Sequence, residues 1–295
     1  MLRIGLIGFG RMGAPICANL VKAGHPVAVF DADPDRESAV IECGATWRPS
    51  PFEVAANAEA FITVLPGSAE VDAVMSDAVL DALEPGATWI DMSSNTPTAA
   101  AVIREHAHAR GVDVLEAPMG GGPDDADAGT LRLFVGGDSE LLARHRPLLE
   151  VIADPNKIVH TGGPGTGYTL KLLVNLLWFG QAVATAEALL LGHRAGIALD
   201  VLHDTLAGSA ASSEFIRRDL PGLLAGDYLA SFGLDHIHDQ LAIVTSLARD
   251  LHTPHDVADA VRRIHQLALE RFGPVDGELL AVALLEEQAG LRLRR

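Results

Sequence analysis

Leu2-Arg3-Ile4-Gly5-Leu6-Ile7 is a short apolar run that stops at a glycine-rich turn. Behind the turn, Ile16, Leu20 and Val21 recur at helical spacing. This switch from a strand period to a helix period repeats through the first ~115 residues. Pro26-Val27-Ala28-Val29-Phe30 is the second apolar run, and Asp33-Pro34-Asp35-Arg36 is a helix start with proline in an early position. A helix over residues 36–43 ends at Gly44, and an apolar strand over 60–65 closes at Pro66-Gly67. A helix over 69–75, a strand over 87–91, a helix over 98–110 ending at Gly111 and a strand over 112–115 follow. Strands alternating with helices predict a parallel, doubly wound sheet. Further strands over 131–135 and 158–160 extend that sheet.

The character changes at Gly162-Gly163-Pro164-Gly165-Thr166-Gly167. Residues 168–195 contain no helix breaker except Gly180 and Gly192. A helix of that length is roughly 40 Å long. The rest reads as helices over 199–207, 213–220, 235–250, 255–271 and 277–288, with no strand pattern. The expected domains are therefore an α/β domain over 1–161 and an all-α domain over 162–295, joined by the long inter-domain helix. The cleft between two such domains is the default ligand site.

The turn after the first strand is Gly8-Phe9-Gly10-Arg11-Met12-Gly13, or G-x-G-x-x-G in a strand–turn–helix setting. That is the dinucleotide fingerprint of the Rossmann-type fold. Its first glycine allows the tight turn and its second lets backbone approach a pyrophosphate. The third lets helix and strand pack closely, with the helix N-terminus facing the phosphates. The second strand ends in Asp31, about 20 residues on, where a carboxylate accepts from ribose hydroxyls. A carboxylate there also repels a 2′-phosphate, so NAD is the expected cofactor in preference to NADP.

Composition narrows the function classes. Hydrophobic residues make up 48% of the 295, so the chain has a core to bury. With 22 Lys+Arg against 39 Asp+Glu, the net charge of −17 repels nucleic acid. Two cysteines, Cys17 and Cys43, make no disulfide framework and fit a reducing, cytoplasmic setting. No signal-peptide pattern precedes the first strand. The apolar run over 170–177 is interrupted by Lys171 and Asn175, so no membrane span is expected.

Two constellations carry chemistry. Lys171 lies one turn into the long apolar helix, with Asn175 at i+4 on the same face. Such a lysine either snorkels to solvent or sits in a cleft, where desolvation lowers its pKa and suits it to proton transfer. Oxidising an alcohol needs such a group to take the hydroxyl proton. The second constellation, Glu116-Ala117-Pro118-Met119-Gly120-Gly121-Gly122, leaves a strand at its carboxyl end, where doubly wound sheets bind ligands. Its glycines read either as a flexible loop or as a nest of N–H groups for an anion. The histidines at 236 and 238 diverge on a helix, and no metal site is expected.

Together these motifs resemble the β-hydroxyacid dehydrogenase family, which includes 3-hydroxyisobutyrate and tartronate-semialdehyde enzymes, over nearly the whole chain. The fingerprint with Asn19 and Gly24 resembles the family's opening signature. Leu65-Pro66 matches its cofactor-contacting Leu-Pro, and Asp91-Met92-Ser93-Ser94-Asn95-Thr96-Pro97 is similar to its Asp-x-Ser-Thr-x-x-Pro. Ser94 stands at the residue that touches the nicotinamide end. Residues 117–122 stand at its substrate motif, with Met119, Gly120 and Gly121 as substrate contacts. Residues 162–175 match its Gly-x-x-Gly-x-Gly-x-x-x-Lys-x-x-x-Asn. The resemblance implies a catalytic Lys171 with Asn175 as its substrate-side companion. It also implies a helical second domain of the 6-phosphogluconate dehydrogenase type and a homodimer packed through that domain.

Two departures stand out. Gly120 replaces a serine that helps hold the substrate carboxylate. Asp239, in Asp239-Gln240-Leu241, replaces a lysine near the nicotinamide and substrate. The expected activity is interconversion of a 3-hydroxy acid, or a related alcohol, with its aldehyde or ketone. The substrate is a small molecule whose acid is held differently, or one that is neutral or cationic. Reduction of an imine and a non-catalytic dinucleotide-binding role are the alternatives; retention of Lys171 speaks against both.

Overall fold

The computed structural model describes residues 1–230 and 232–295. It divides into two compact units, 1–171 and 172–295. Among the described residues, the first unit is built on one sheet of nine strands. They are β1 (Ile4–Ile7), β2 (Val27–Phe30), β3 (Thr46–Trp47), β4 (Ala60–Thr63), β5 (Thr88–Asp91), β6 (Asp113–Glu116), β7 (Met119–Gly120), β8 (Leu131–Gly136) and β9 (Ala153–Gly162). The order is β3-β2-β1-β4-β5-β6-β8-β7, with β9 also paired to β8. All pairs from β3 to β6 are parallel, and β8 runs antiparallel to β6.

Side-chain alternation explains why the strands read as continuous apolar runs: both faces of the sheet are covered. Ile4 and Leu6 of β1, Ile62 of β4 and Ile90 of β5 enter one core with Ile16, Cys17 and Leu20 of the helix Gly13–Lys22. Ile7, Phe61 and Trp89, one residue out of step, enter a second core beneath the helices Pro51–Ala55, Asp77–Ala82 and Pro97–His108.

The strand and helix pattern expected over 1–115 is present, with ends shifted by one or two residues. Missing from the reading are β3 and β7, two residues each, and the helices Pro51–Ala55, Asp77–Ala82, Pro123–Asp127 and Ser139–Leu149. A two-residue strand has no period to detect, and Ser139–Leu149 holds Pro147 inside it. Asp138 caps that helix, its Oδ1 accepting from the N–H groups of Glu140 and Leu141.

In the second unit the long helix, Thr166–Arg194, is central. It has the length and apolar character to cross a bilayer, but its residues build cores inside this unit. Ala182, Ala186 and Leu189 enter one with Phe215 and Leu220; Phe179 and Val183 enter another with Ile237 and Leu241. The segment expected as one helix over 213–220 is a π-helical turn, Phe215–Asp219, followed by an α-helix, Leu220–Ala225. The compact units divide after Lys171, because the start of the long helix is fastened to the sheet.

His265, on the helix Asp256–Phe272, is 1% exposed, with Nδ1 against the Val261 carbonyl at 3.0 Å and its ring edge-on to Phe179. Burial pushes its pKa down to about 4. The unfolded chain therefore binds more protons below pH 6.5, and stability falls as pH drops from 6.5 towards 4 by up to about 3 kcal/mol. Urea midpoints measured across that window should show this loss, and His265→Leu should flatten the slope.

Candidate functional site

β1 delivers the chain into Gly8, whose φ of +98° is open to glycine. A Cβ there would lie 2.3 Å from the Val64 carbonyl oxygen, and one on Gly13 would lie 2.0 Å from the Gly8 oxygen. Both positions bring backbone against backbone. Gly10 has nothing within 4 Å of its Cβ position, so this face of the loop is open to a ligand. The helix Gly13–Lys22 has no side-chain cap at Met12 and no acid in its first turn. Its leading N–H groups and its dipole are thus available to an anion. Asp31, just past β2, accepts from Phe9 N at 2.6 Å and Asp33 N at 2.9 Å, which ties the carboxylate to the glycine loop.

Strand order reverses between β1 and β4, so this loop and Leu65-Pro66 flank the topological switch point. The Ser93 hydroxyl accepts from Leu65 N at 3.0 Å, and Ser94 N donates to the Leu65 carbonyl at 3.3 Å. The sequence-predicted residues Gly8, Phe9, Gly10, Arg11, Met12, Gly13, Asp31, Leu65, Pro66 and Ser94 thus follow the carboxyl ends of β1, β2, β4 and β5 along one sheet edge. An open glycine loop, an uncapped helix start and an acid past β2 fit a dinucleotide.

Two buried carboxylates at that edge hold the rest. Asp91, fully buried at the end of β5, takes four donors. They are Thr63 Oγ1 at 2.8 Å, Ser93 N at 3.0 Å, Asn95 Nδ2 at 2.9 Å and Tyr168 OH at 2.7 Å. Glu116, at the end of β6, takes Gly165 N at 2.5 Å and Gly167 N at 3.2 Å, with Arg104 Nη1 at 3.6 Å. Burial pushes the Glu116 carboxyl above its usual range, against the pull of Gly165 N–H and of Arg104. Gly167 has no room for a side chain, since a Cβ would lie 2.5 Å from the Phe134 carbonyl oxygen. These contacts seat the first turn of the long helix, and Lys171 follows directly.

Asn175, one turn beyond Lys171, donates from Nδ2 to Gln240 Oε1 at 2.6 Å. Gln240 is buried in the helix Leu234–Asp250. Asp239 faces outward, its side chain 74% exposed and its carboxylate 3.5 Å from His238 Nδ1. The side-chain neighbour of Asn175 on that helix is therefore a neutral amide. Nothing in the spacing alone distinguishes the two.

The glycine-rich segment after β6 is also more ordered than a free loop. Met119 and Gly120 form β7, paired with Leu133 and Arg132 of β8. Gly122 N donates to Asp125 Oδ2 at 3.0 Å, so one N–H of the expected nest is already engaged. Asn19, on the fingerprint helix, donates to the carbonyls of Ala126 at 2.8 Å and Asp127 at 3.3 Å, joining that helix to the segment after the motif. Among the described residues no group of three His, Cys, Asp or Glu side chains is arranged to hold a metal.

This fold and this cradle define a nicotinamide-dinucleotide-binding protein. Residues 3–162 match the model for the NAD binding domain of 6-phosphogluconate dehydrogenase. Residues 165–285 match that for the NAD-binding domain of NADP-dependent 3-hydroxyisobutyrate dehydrogenase. The chain is 31% identical over 271 residues to 3-sulfolactaldehyde reductase of Escherichia coli, covering 91% of this chain and 90% of that protein. It is 37% identical over 222 residues to a probable 3-hydroxyisobutyrate dehydrogenase of Mycobacterium tuberculosis, covering 75% and 74%. The structure of Mycobacterium tuberculosis 3-hydroxyisobutyrate dehydrogenase with L-serine superposes with a TM-score of 0.85 at 29% identity, over 96% of this chain and 99% of that one. The chain belongs to the β-hydroxyacid dehydrogenase family.

The two glycine motifs should respond differently to a methyl group. Gly13→Ala meets backbone and should cost at least about 2 kcal/mol. At Gly120 the added Cβ would sit 3.4 Å from the Phe134 ring, so Gly120→Ala should change stability by less than about 1 kcal/mol. Urea melts of both variants check this.

Proposed function

We propose that the protein is an NAD-dependent oxidoreductase that interconverts a 3-hydroxy acid, or a related alcohol, and its carbonyl form. The observation that carries the proposal is the placement of Lys171. It lies one turn beyond Gly165, Gly167 and Tyr168, which are hydrogen-bonded to the sheet edge that bears the dinucleotide cradle. The chain has three lysines, Lys22, Lys157 and Lys171, and the last lies inside the long apolar helix. The relatives named above act on small hydroxy acids or their aldehydes, as their names state.

A nicotinamide dinucleotide held by this cradle would supply the hydride acceptor for oxidation and the hydride donor for reduction. Lys171 Nζ takes the hydroxyl proton as the carbonyl forms and gives it back in the reverse direction. Asn175, its amide fixed by Gln240, hydrogen-bonds the reacting oxygen. Met119, Gly120 and Gly121 border the substrate, and Ser94 the nicotinamide end. Asp31 accepts from the adenosine ribose hydroxyls and disfavours a 2′-phosphate, so NAD is preferred to NADP. Gly120 offers backbone only, so the acid of the substrate is held differently from the family's serine mode. The cytoplasm is the compartment we assign, on the two free thiols.

We further infer a homodimer. Leu173, Leu177 and Leu191 of the long helix are 42%, 63% and 74% exposed, with Ala184 and Ala188 exposed between them on the same face. An apolar stripe of that length is a protein contact surface. Light scattering at micromolar concentration should give twice the chain mass; a monomer contradicts the assignment.

Nicotinamide absorbance with NAD and NADP tests the activity against 3-hydroxy acids including L-serine, their amides and cyclic imines. Turnover of a hydroxy acid with NAD should fall roughly 10²–10⁴-fold in Lys171→Ala. Turnover of imines alone, or a preference for NADP, would refute the corresponding part.

A further inference from the structure

Tyr168 is 1% exposed, and its hydroxyl is 2.7 Å from Asp91 Oδ2. Burial, with Asp91 and Glu116 close by, pushes its pKa well above the usual phenol value, so it acts as a donor throughout. The same carboxylate holds Ser93 N and Asn95 Nδ2, on either side of Ser94, and Thr63 Oγ1, two residues before Leu65. Lys171 is at i+3 from Tyr168, so the two leave the helix on neighbouring positions of one face. A phenylalanine would fill the same volume; the hydroxyl adds the bond to Asp91 and a contact with the Asn95 side chain of the same loop.

We propose that Tyr168 is a positioning residue for Lys171: through Asp91 it locks the turn of helix before the lysine to the Ser93–Asn95 loop. Rotation or slippage of that turn would move Nζ, at the end of a long side chain, by more than it moves the backbone. Glu116 holds the same turn from the other side through Gly165 and Gly167, so loss of the Tyr168 bond loosens the turn without releasing it.

This rests on Lys171 as the proton carrier, and the test separates the two. Reductive ¹³C-methylation labels the three lysines and the N-terminal amine, and Lys171→Arg assigns the Lys171 resonance. In Tyr168→Phe the Lys171 resonance should shift or broaden while those of Lys22 and Lys157 stay in place. In unlabelled protein kcat should fall roughly 10- to 100-fold, with KM for NAD within twofold of wild type. A general loss of packing would move all the resonances and the melting curve together. Asp91→Asn, which weakens the shared acceptor, should reproduce the Lys171 shift and serves where Tyr168→Phe does not fold. An unchanged Lys171 resonance with unchanged kcat in a folded variant overturns the inference. If wild type transfers no hydride from any alcohol, the proposed function fails, while the Lys171 resonance still decides whether Tyr168 positions it.

Discussion

The sheet edge depends on two carboxylates taken out of water, Asp91 and Glu116. Moving an ionised carboxylate from water into a protein interior costs several kcal/mol, and only a full complement of donors offsets it. A hydrogen bond to a charged group contributes roughly 1.5–3 kcal/mol. Asp91 has four such donors and no cation among them; Glu116 has the backbone N–H groups of Gly165, Gly167 and Tyr168, with Arg104. The donors are what allow the charges to stay buried. Because they come from separate elements, satisfying each carboxylate fastens those elements together. Trp89 Nε1 donates to Thr63 Oγ1 at 2.9 Å, which itself donates to Asp91, so the network reaches through β5 and β4.

This arrangement separates two tasks that meet on one sheet edge. The glycine loop stays open at Gly10 and uncapped at Met12, because its ligand supplies the missing partners. The carboxylates close off everything around it, and no ligand is needed to satisfy them. The first turn of the long helix is therefore preorganised before any cofactor binds, and the backbone of Lys171, one turn further on, is fixed with it.

The parts that were legible from the residues are those governed by local rules. Strand–helix alternation, the G-x-G-x-x-G turn with Asp31, and the long helix each follow from period, turn chemistry or spacing. What was not legible depends on contacts distant along the chain. Thr63 reaches Asp91 from 28 residues away and Tyr168 from 77, so nothing local marks Asp91 as more than the end of a strand. Likewise β7 exists only because β8 pairs with it, and a stretch with three glycines reads as a loop until that partner is known.

The pair Asp239 and Gln240 shows the same limit where specificity is concerned. Neighbouring residues on a helix diverge by about 100°, so only one of them faces inward, and packing of the helix decides which. Leu234, Ile237, Leu241 and Val244 set that packing, and Gln240 lies on their side. The inward group opposite Asn175 is therefore neutral, whereas Asp239 is in water, where its field is screened within about a Debye length of 10 Å. A charge reversal that looks decisive in the sequence thus lies on the outward face of this helix, while the amide beside it fixes the orientation of Asn175 directly.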